Sequence, residues 1–299
     1  MGKKKNYEPS QLLDYSMDSY LERTSRPIYA VIFLIPFIIT YELGSIFIQT
    51  SVLNSHLQGR VVAFSWLQRF VEFLGFSNRF AWIATPLVVI VILIGLQISS
   101  KKRWKVWLTD LFPMSIECVM FAIPLIVLGF VLNDSGKQAN PTPVPTQTAI
   151  VQTAIPCCSA VSSNVTDEQY QHQSSNQKYW FAGIITGIGA GIYEELIFRL
   201  VLICILMLIF QDFFKFNHTT AIVVSILISA TLFSAHHHID FLNWQPTREP
   251  FNLAKFVFRA LAGVYFACLF AARGFGITAG THAFYDIMAV IINAKFLNN

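Results

Sequence analysis

Long apolar runs, separated by short polar or basic stretches, dominate this chain of 299 residues. A helix needs about 20 mostly apolar residues to cross a hydrocarbon core of ~30 Å. Three runs of that kind occupy the first half: Pro27 to about Gln49, Phe80 to Ile98, and about Met114 to Leu132. Four more follow: Tyr179 to Phe214, Thr219 to His236, Ala254 to Ala272, and Ile277 to Ile292. Between the first two lies Arg60 to Phe76, where Val61, Phe64, Leu67, Phe70 and Leu74 fall on one helical face with Arg69 and Glu72 off it. That spacing predicts a helix lying in the membrane interface. The whole pattern predicts an all-α fold, a polytopic transmembrane bundle of about 7–8 helices.

Residues 133–178 form the one long polar stretch, with Pro141, Pro143 and Pro145 among many Ser, Thr, Gln and Asn. Such a segment buries too little apolar area to fold alone and reads as a flexible loop. It divides the chain into residues 1–132 (a cytoplasmic segment, three spans and the interfacial helix) and a helical core at 179–292, followed by a tail at 293–299. The run from Tyr179 to Phe214 would be roughly 54 Å long as a single helix, too long for one upright span. It must tilt, kink or break, and a break or strong tilt with a water-filled cavity beside it is expected. Gly183, Gly187, Gly189 and Gly191 suit close helix approach.

Composition agrees with a lipid environment. Apolar types make up 54% of the chain and charged residues 13%, against about 25% charged in an average soluble domain. The net charge of +4 is small, and its placement says more. Lys3, Lys4, Lys5, Arg23 and Arg26 precede the first span, and Lys101, Lys102, Arg103 and Lys105 follow the second. These clusters read as cytoplasmic anchors, not as a nucleic-acid patch, and put the N-terminus and the 99–107 loop inside. The expected location is an integral membrane protein of a bacterial inner membrane. The polar lead before Pro27 does not fit a cleaved signal peptide, and Asn6 spoils a myristoylation string. Cys118, Cys204 and Cys268 sit in apolar runs as packing residues. Cys157 and Cys158 are adjacent in the polar loop and leave the redox compartment undecided.

Ionisable side chains within spans are costly, so they mark candidate chemistry. Glu42 and Glu117 lie in the first and third runs. Three further groups stand out. In Glu194-Glu195-Leu196-Ile197-Phe198-Arg199, the i, i+4 spacing lets Glu195 and Arg199 pair, while Glu194 points about 100° away. His236, His237 and His238 end the next run. Consecutive helical positions would not turn all three imidazoles to one site; His238 reads as solvated, and His236 and His237 stay open as a metal ligand or proton carrier. In the last run, His282 and Asp286 share a face at i, i+4. Brought together in a bundle, these groups offer a general base, metal ligands or proton shuttles, and an electrophilic stabiliser. No H-E-x-x-H, G-x-S-x-G or Walker motif accompanies them.

The three groups, in order, resemble the signature of the CPBP intramembrane proteases, the CAAX-protease and bacteriocin-processing (ABI) family. The family pattern Glu-Glu-x-x-x-Arg, Phe-x-x-x-His and His-x-x-x-Asn/Asp matches Glu194-Glu195-x-x-x-Arg199, Phe233-x-x-x-His237 and His282-x-x-x-Asp286 over roughly residues 179–292. His236 departs from it, since members usually carry a small or apolar residue there. The resemblance implies an endopeptidase acting on a membrane-associated protein or peptide, such as a prenylated CAAX-like one. Water would be activated by Glu194 with His237, with Arg199 holding Glu195, and His282 and Asp286 stabilising the oxyanion. Phe233 and His236 would support the site. The mechanism is either metal-free or metal-assisted; a Zn2+ ion would take Glu194, His237 and His282, three protein ligands plus water. Two other readings compete: a non-catalytic scaffold or immunity protein of the same fold, and a proton-coupled transporter with Glu42, Glu117, Glu194 and His282 as a relay. No internal repeat supports the last.

Overall fold

A computed structural model describes residues 15–16, 18–50, 61–137, 165–241, 245–246 and 251–294. The expectations for Lys3 to Lys5, the prolines at 141–145 and Cys157–Cys158 lie outside the described residues. The helices are α1 (Tyr20–Thr24), α2 (Pro27–Thr50), α3 (Val62–Phe73), α4 (Asn78–Ser100), α5 (Leu111–Lys137), α6 (Val165–Glu195), α7 (Ile203–Leu208), α8 (His218–Ala235), α9 (Leu253–Arg273) and α10 (Phe275–Ile292). A two-residue antiparallel pairing joins Ile239–Asp240 to Gln245–Pro246. Among the described residues, seven segments are long and apolar enough to cross a membrane: Pro27–Ile48, Phe80–Ser100, Leu108–Leu132, Trp180–Phe213, His218–Ala235, Leu253–Arg273 and Phe275–Ile292. The chain is an all-α, integral membrane bundle.

The exposed side chains show how lipid solvates it. On α4, Phe80, Ile83, Leu87 and Val91 are exposed, and on α5, Phe112, Ile116, Met120, Ile123 and Val127. They recur every three or four residues, a single apolar stripe per helix turned outward. Proline inside α2 (Pro36), α4 (Pro86) and α5 (Pro124) is tolerated in this setting, because nearby hydroxyls and helices satisfy freed carbonyls. The amphipathic segment expected at 60–76 is α3, but its apolar face divides. Val61 and Phe64 are buried against the bundle, whereas Phe70 and Leu74 are exposed at its far end. Cys118 is buried as expected, but Cys204 and Cys268 are exposed; on outward faces of spanning helices they meet lipid, where a thiol needs no protein packing.

α10 is the hub, packed against α6, α5, α2 and α9. Residues Phe275 to Ala283 are all buried. α6 presents Gly183, Gly187 and Gly191 to it: a Cβ on Gly187 would stand 2.6 Å from Asp286 Cβ, and one on Gly191 2.5 Å from the Ala283 nitrogen. The glycines therefore let two backbones approach as closely as small-residue stripes allow.

One end of the bundle is tied by charge. Arg23 donates to both Asp110 carboxylate oxygens at 3.0 and 3.1 Å, and Tyr29 Oη to Oδ2 at 2.8 Å. Arg273, at the end of α9, donates to Glu117 at 2.5 and 2.7 Å and to the Leu21 carbonyl at 3.0 Å. Gln97, near the end of α4, accepts from the Ile28 amide at 3.1 Å. Ahead of the first span, the hydrogen bond from Arg26 holds the Asp18 carboxyl below its usual range, with Arg103 adding to the effect. The starts of α2 and α5 and the ends of α4 and α9 are thus gathered at one face.

One sequence expectation is corrected by α6. The helix begins at Val165, so residues 165–178 of the expected loop are helical; a spanning helix can carry polar turns beyond the lipid at no cost in backbone hydrogen bonds. The 179–214 run, expected to tilt, kink or break, leaves α geometry twice without a gap in the helix. It continues from α6 through a π-helical segment, Leu196–Leu202, then α7, then a second π segment, Ile209–Phe213.

Candidate active site in the membrane

A hairpin sets the depth of Glu194 and His237. Residues 214–217 turn the chain between the second π segment and α8. Glu194 lies 20 residues before Phe214, and His237 lies 20 after Asn217. Counted from one turn along antiparallel helices, both rise about 30 Å and arrive at one level. The surplus length of α6 extends past that level, toward Val165.

The first π segment starts directly after Glu194-Glu195. π segments inside α-helices recur at functional sites. Here a neighbour supports the loosened backbone, since Ser229 Oγ of α8 donates to the Phe198 carbonyl at 2.7 Å. Arg199 sits within the segment and is fully buried, as is Glu195. Arg199 Nε is 3.1 Å from Glu195 Oε2, close enough for charge attraction but not aligned as a hydrogen bond. The guanidinium also lies 4.1 Å above the Phe233 ring, a cation–π contact that suits a buried Arg. The other oxygen, Glu195 Oε1, meets His282 Nδ1 at 2.7 Å. His282 stacks on Phe266 of α9, with centroids 4.6 Å apart, and its Nε2 stands 3.7 Å from Asp286 Oδ2.

Helix α8 stops at Ala235, with His236 as its C-cap. The histidines therefore escape the helical spacing expected of them. The rings of His236 and His237 are 3.9 Å apart, and both turn Nδ1 to the carbonyl of Phe233, His237 at 3.1 Å. His236 Nε2 is 3.4 Å from Glu194 Oε1. His238 is buried against Phe251 and Phe256 rather than solvated; the chain after α8 folds it under the start of α9.

Glu194, His237, His282 and Asp286 line one cavity of about 1130 Å³. Its walls include Leu125, Ile126 and Phe130 of α5 and Phe258, Ala262 and Phe266 of α9. Glu195, Arg199 and His236 stand behind this lining. The expected site residues are thus brought together in two layers, with Phe233 touching both. Among the described residues, the groups that could hold a metal ion differ in one member from the expected set. Potential ligand atoms of Glu194, His236 and His237 lie within 4.8 Å of one another, whereas His282 is engaged by Glu195 and Asp286. Glu42 and Glu117 do not join the cluster: Glu42 accepts from Tyr193 Oη at 3.2 Å, and Glu117 binds Arg273 and Tyr20. Lys255, Arg259 and Tyr285 also line the cavity. Sequence reasoning missed them, although Lys255 and Arg259 stand at i, i+4 on a span where charge is costly.

No curated protein and no solved structure matches the chain. Residues 176–288 match the family model described as Rce1-like, type II CAAX prenyl endopeptidase Rce1-like. Glu194, His237 and His282, on three elements around one cavity, lie inside the matched stretch, so residues 176–288 are similar, at the level of the family, to the Rce1-like type II CAAX prenyl endopeptidases.

Proposed function

We propose that the chain hydrolyses a peptide bond of a membrane-associated substrate, a prenylated CAAX-like protein or peptide being the best fit, with a water activated by Glu194 and His237. The observation that carries this reading is the shared cavity: Glu194, His237, His282 and Asp286 line a space walled by apolar side chains of α5 and α9, with Lys255 and Arg259 also on its wall. A carboxylate that abstracts a proton must reach the water directly; Glu194 does, because Glu195 is taken up by Arg199 and His282. Glu195 is then a positioning residue. By accepting from His282 Nδ1 it leaves Nε2 turned toward Asp286 and the cavity, where a tetrahedral oxyanion can be stabilised. For that step His282 needs a proton on Nε2. The apolar walls would receive a lipid chain or apolar side chains and keep bulk water from the reacting carbonyl.

Glu194 and the adjacent imidazoles also fit a divalent ion such as Zn2+, which when bound lowers the pKa of its water toward neutrality.

The reading is tested by Glu194→Gln, assayed against a prenylated CAAX-like peptide in detergent or vesicles. Removing a general base lowers turnover by about 10²–10⁴-fold, and the variant, nearly isosteric, should unfold at the wild-type temperature. Wild-type turnover in this variant would refute the base assignment, and no turnover in either protein would leave the scaffold reading in its place.

A further inference from the structure

The carbonyl of Phe233 faces the Nδ1 atoms of both His236 and His237. A carbonyl oxygen only accepts, so each Nδ1 must carry the hydrogen. Each neutral ring then keeps its lone pair on Nε2. At His236 that lone pair faces a carboxylate oxygen, Glu194 Oε1, at 3.4 Å. The group is buried: His236 is 2% exposed and Glu194 5%. A cation held between the ring nitrogen and the carboxylate oxygen would pair both groups. Phe198, Phe233 and Trp66 box the His236 ring on its other sides, so it cannot swing away to solvent.

We infer that His236, with His237 and Glu194, forms a zinc site open to the cavity, and that His236 is the ligand which the family pattern does not supply. The inference rests on the proposed catalytic site for its location. Three features support it. The donor set, two imidazole nitrogens and one carboxylate oxygen, is that of catalytic zinc sites. The spacing is right: zinc–nitrogen and zinc–oxygen bonds near 2.0–2.1 Å put tetrahedral ligands about 3.3 Å apart, and His236 and Glu194 stand at 3.4 Å. The second shell is built, since ligating histidines usually donate their other N–H to a carbonyl or carboxylate, and here one carbonyl serves both rings. Glu194 and His237 line the cavity, so the fourth position opens where water and substrate enter. His282 is outside this set.

The test is metal binding, read without activity. The full chain, purified in mild detergent, is stripped with chelator, reloaded with Zn2+ and measured by elemental mass spectrometry and thermal unfolding. Wild type should hold about one zinc per chain and unfold at a higher temperature with zinc than without. Loss of a ligand should weaken zinc by more than the 10–100-fold typical of outer-shell changes. His236→Ala and His237→Ala should therefore bind none and show no zinc-dependent shift, while His282→Ala keeps both. The unfolding temperature without zinc shows that each variant is folded, and His236→Gln serves if the alanine variant is not. Zinc retained by folded His236 variants, or lost in His282→Ala, overturns the ligand set. No zinc in wild type means that a proton is the cation between Glu194 and His236, which overturns the site. The Glu194→Gln assay would still decide the protease reading separately.

Discussion

Glu195 is the residue on which most of the buried charge converges. Its carboxylate faces Arg199 on its own helix and His282 on α10, and all three are buried. Removing one partner of a buried pair leaves an uncompensated charge, at a cost of about 3–5 kcal/mol. Arg199→Met should lower the thermal unfolding midpoint in detergent accordingly, and Arg199→Met/Glu195→Gln should recover much of the loss. Equal stability of the single variant and wild type would mean that the Arg199–Glu195 attraction adds nothing net to stability. The pairing of Glu195 with Arg199 was legible in the sequence because helical periodicity alone puts i and i+4 on one face. The posture of His236 was not. It depends on α8 ending at Ala235 and on two rings sharing the Phe233 carbonyl, and neither is coded by spacing.

At the scale of elements, the contact between α6 and α10 decides whether the site exists. Gly191 faces the Ala283 nitrogen and the Ala279 oxygen, both backbone atoms that cannot rotate aside. Gly191→Ala should force the helices apart and destabilise the bundle by about 1–3 kcal/mol, the usual range for overpacking. It should also reduce turnover, because His282 and Asp286 ride on α10. Gly95→Ala is the control: nothing lies within 4 Å of its added carbon. Unfolding midpoints in detergent check both, and similar midpoints for the two variants would contradict the close-approach argument. The glycines were readable as an approach face, but their partner helix was not. The length of the 179–214 run was readable too, but not which of tilt, kink or break would accommodate it. Two π segments keep the helix continuous, and the surplus extends upstream.

The whole molecule has a basic end and a cavity end. Arg23, Arg26, Gln97, Asp110 and Arg273 meet at the first. The cavity is lined by Ile48, Leu132, Asn252, Lys255 and Asn293, which lie at the other ends of α2, α5, α9 and α10. If the basic end is cytoplasmic, as the loop charges imply, the cavity mouth opens on the opposite face. A single cysteine at Lys255, in a background with the native cysteines replaced, should react with a membrane-impermeant maleimide on intact cells. One at Arg103 should react only after the membrane is permeabilised. The reverse pattern would place the mouth on the cytoplasmic side and show that the basic cluster does not set orientation here.

Spanning segments, their number and the three chemical groups follow from the sequence alone, because hydropathy and helical spacing are local properties and lipid penalises every buried charge that lacks a reason. Tertiary structure decided which groups share a site. The hairpin at 214–217 levels Glu194 with His237, the glycine face of α6 admits α10, and the chain turn after Ala235 aims two imidazoles at one carboxylate. The α6–α10 approach depends on contacts between residues about a hundred positions apart, the other two on where a helix stops, and no periodicity along the chain records either.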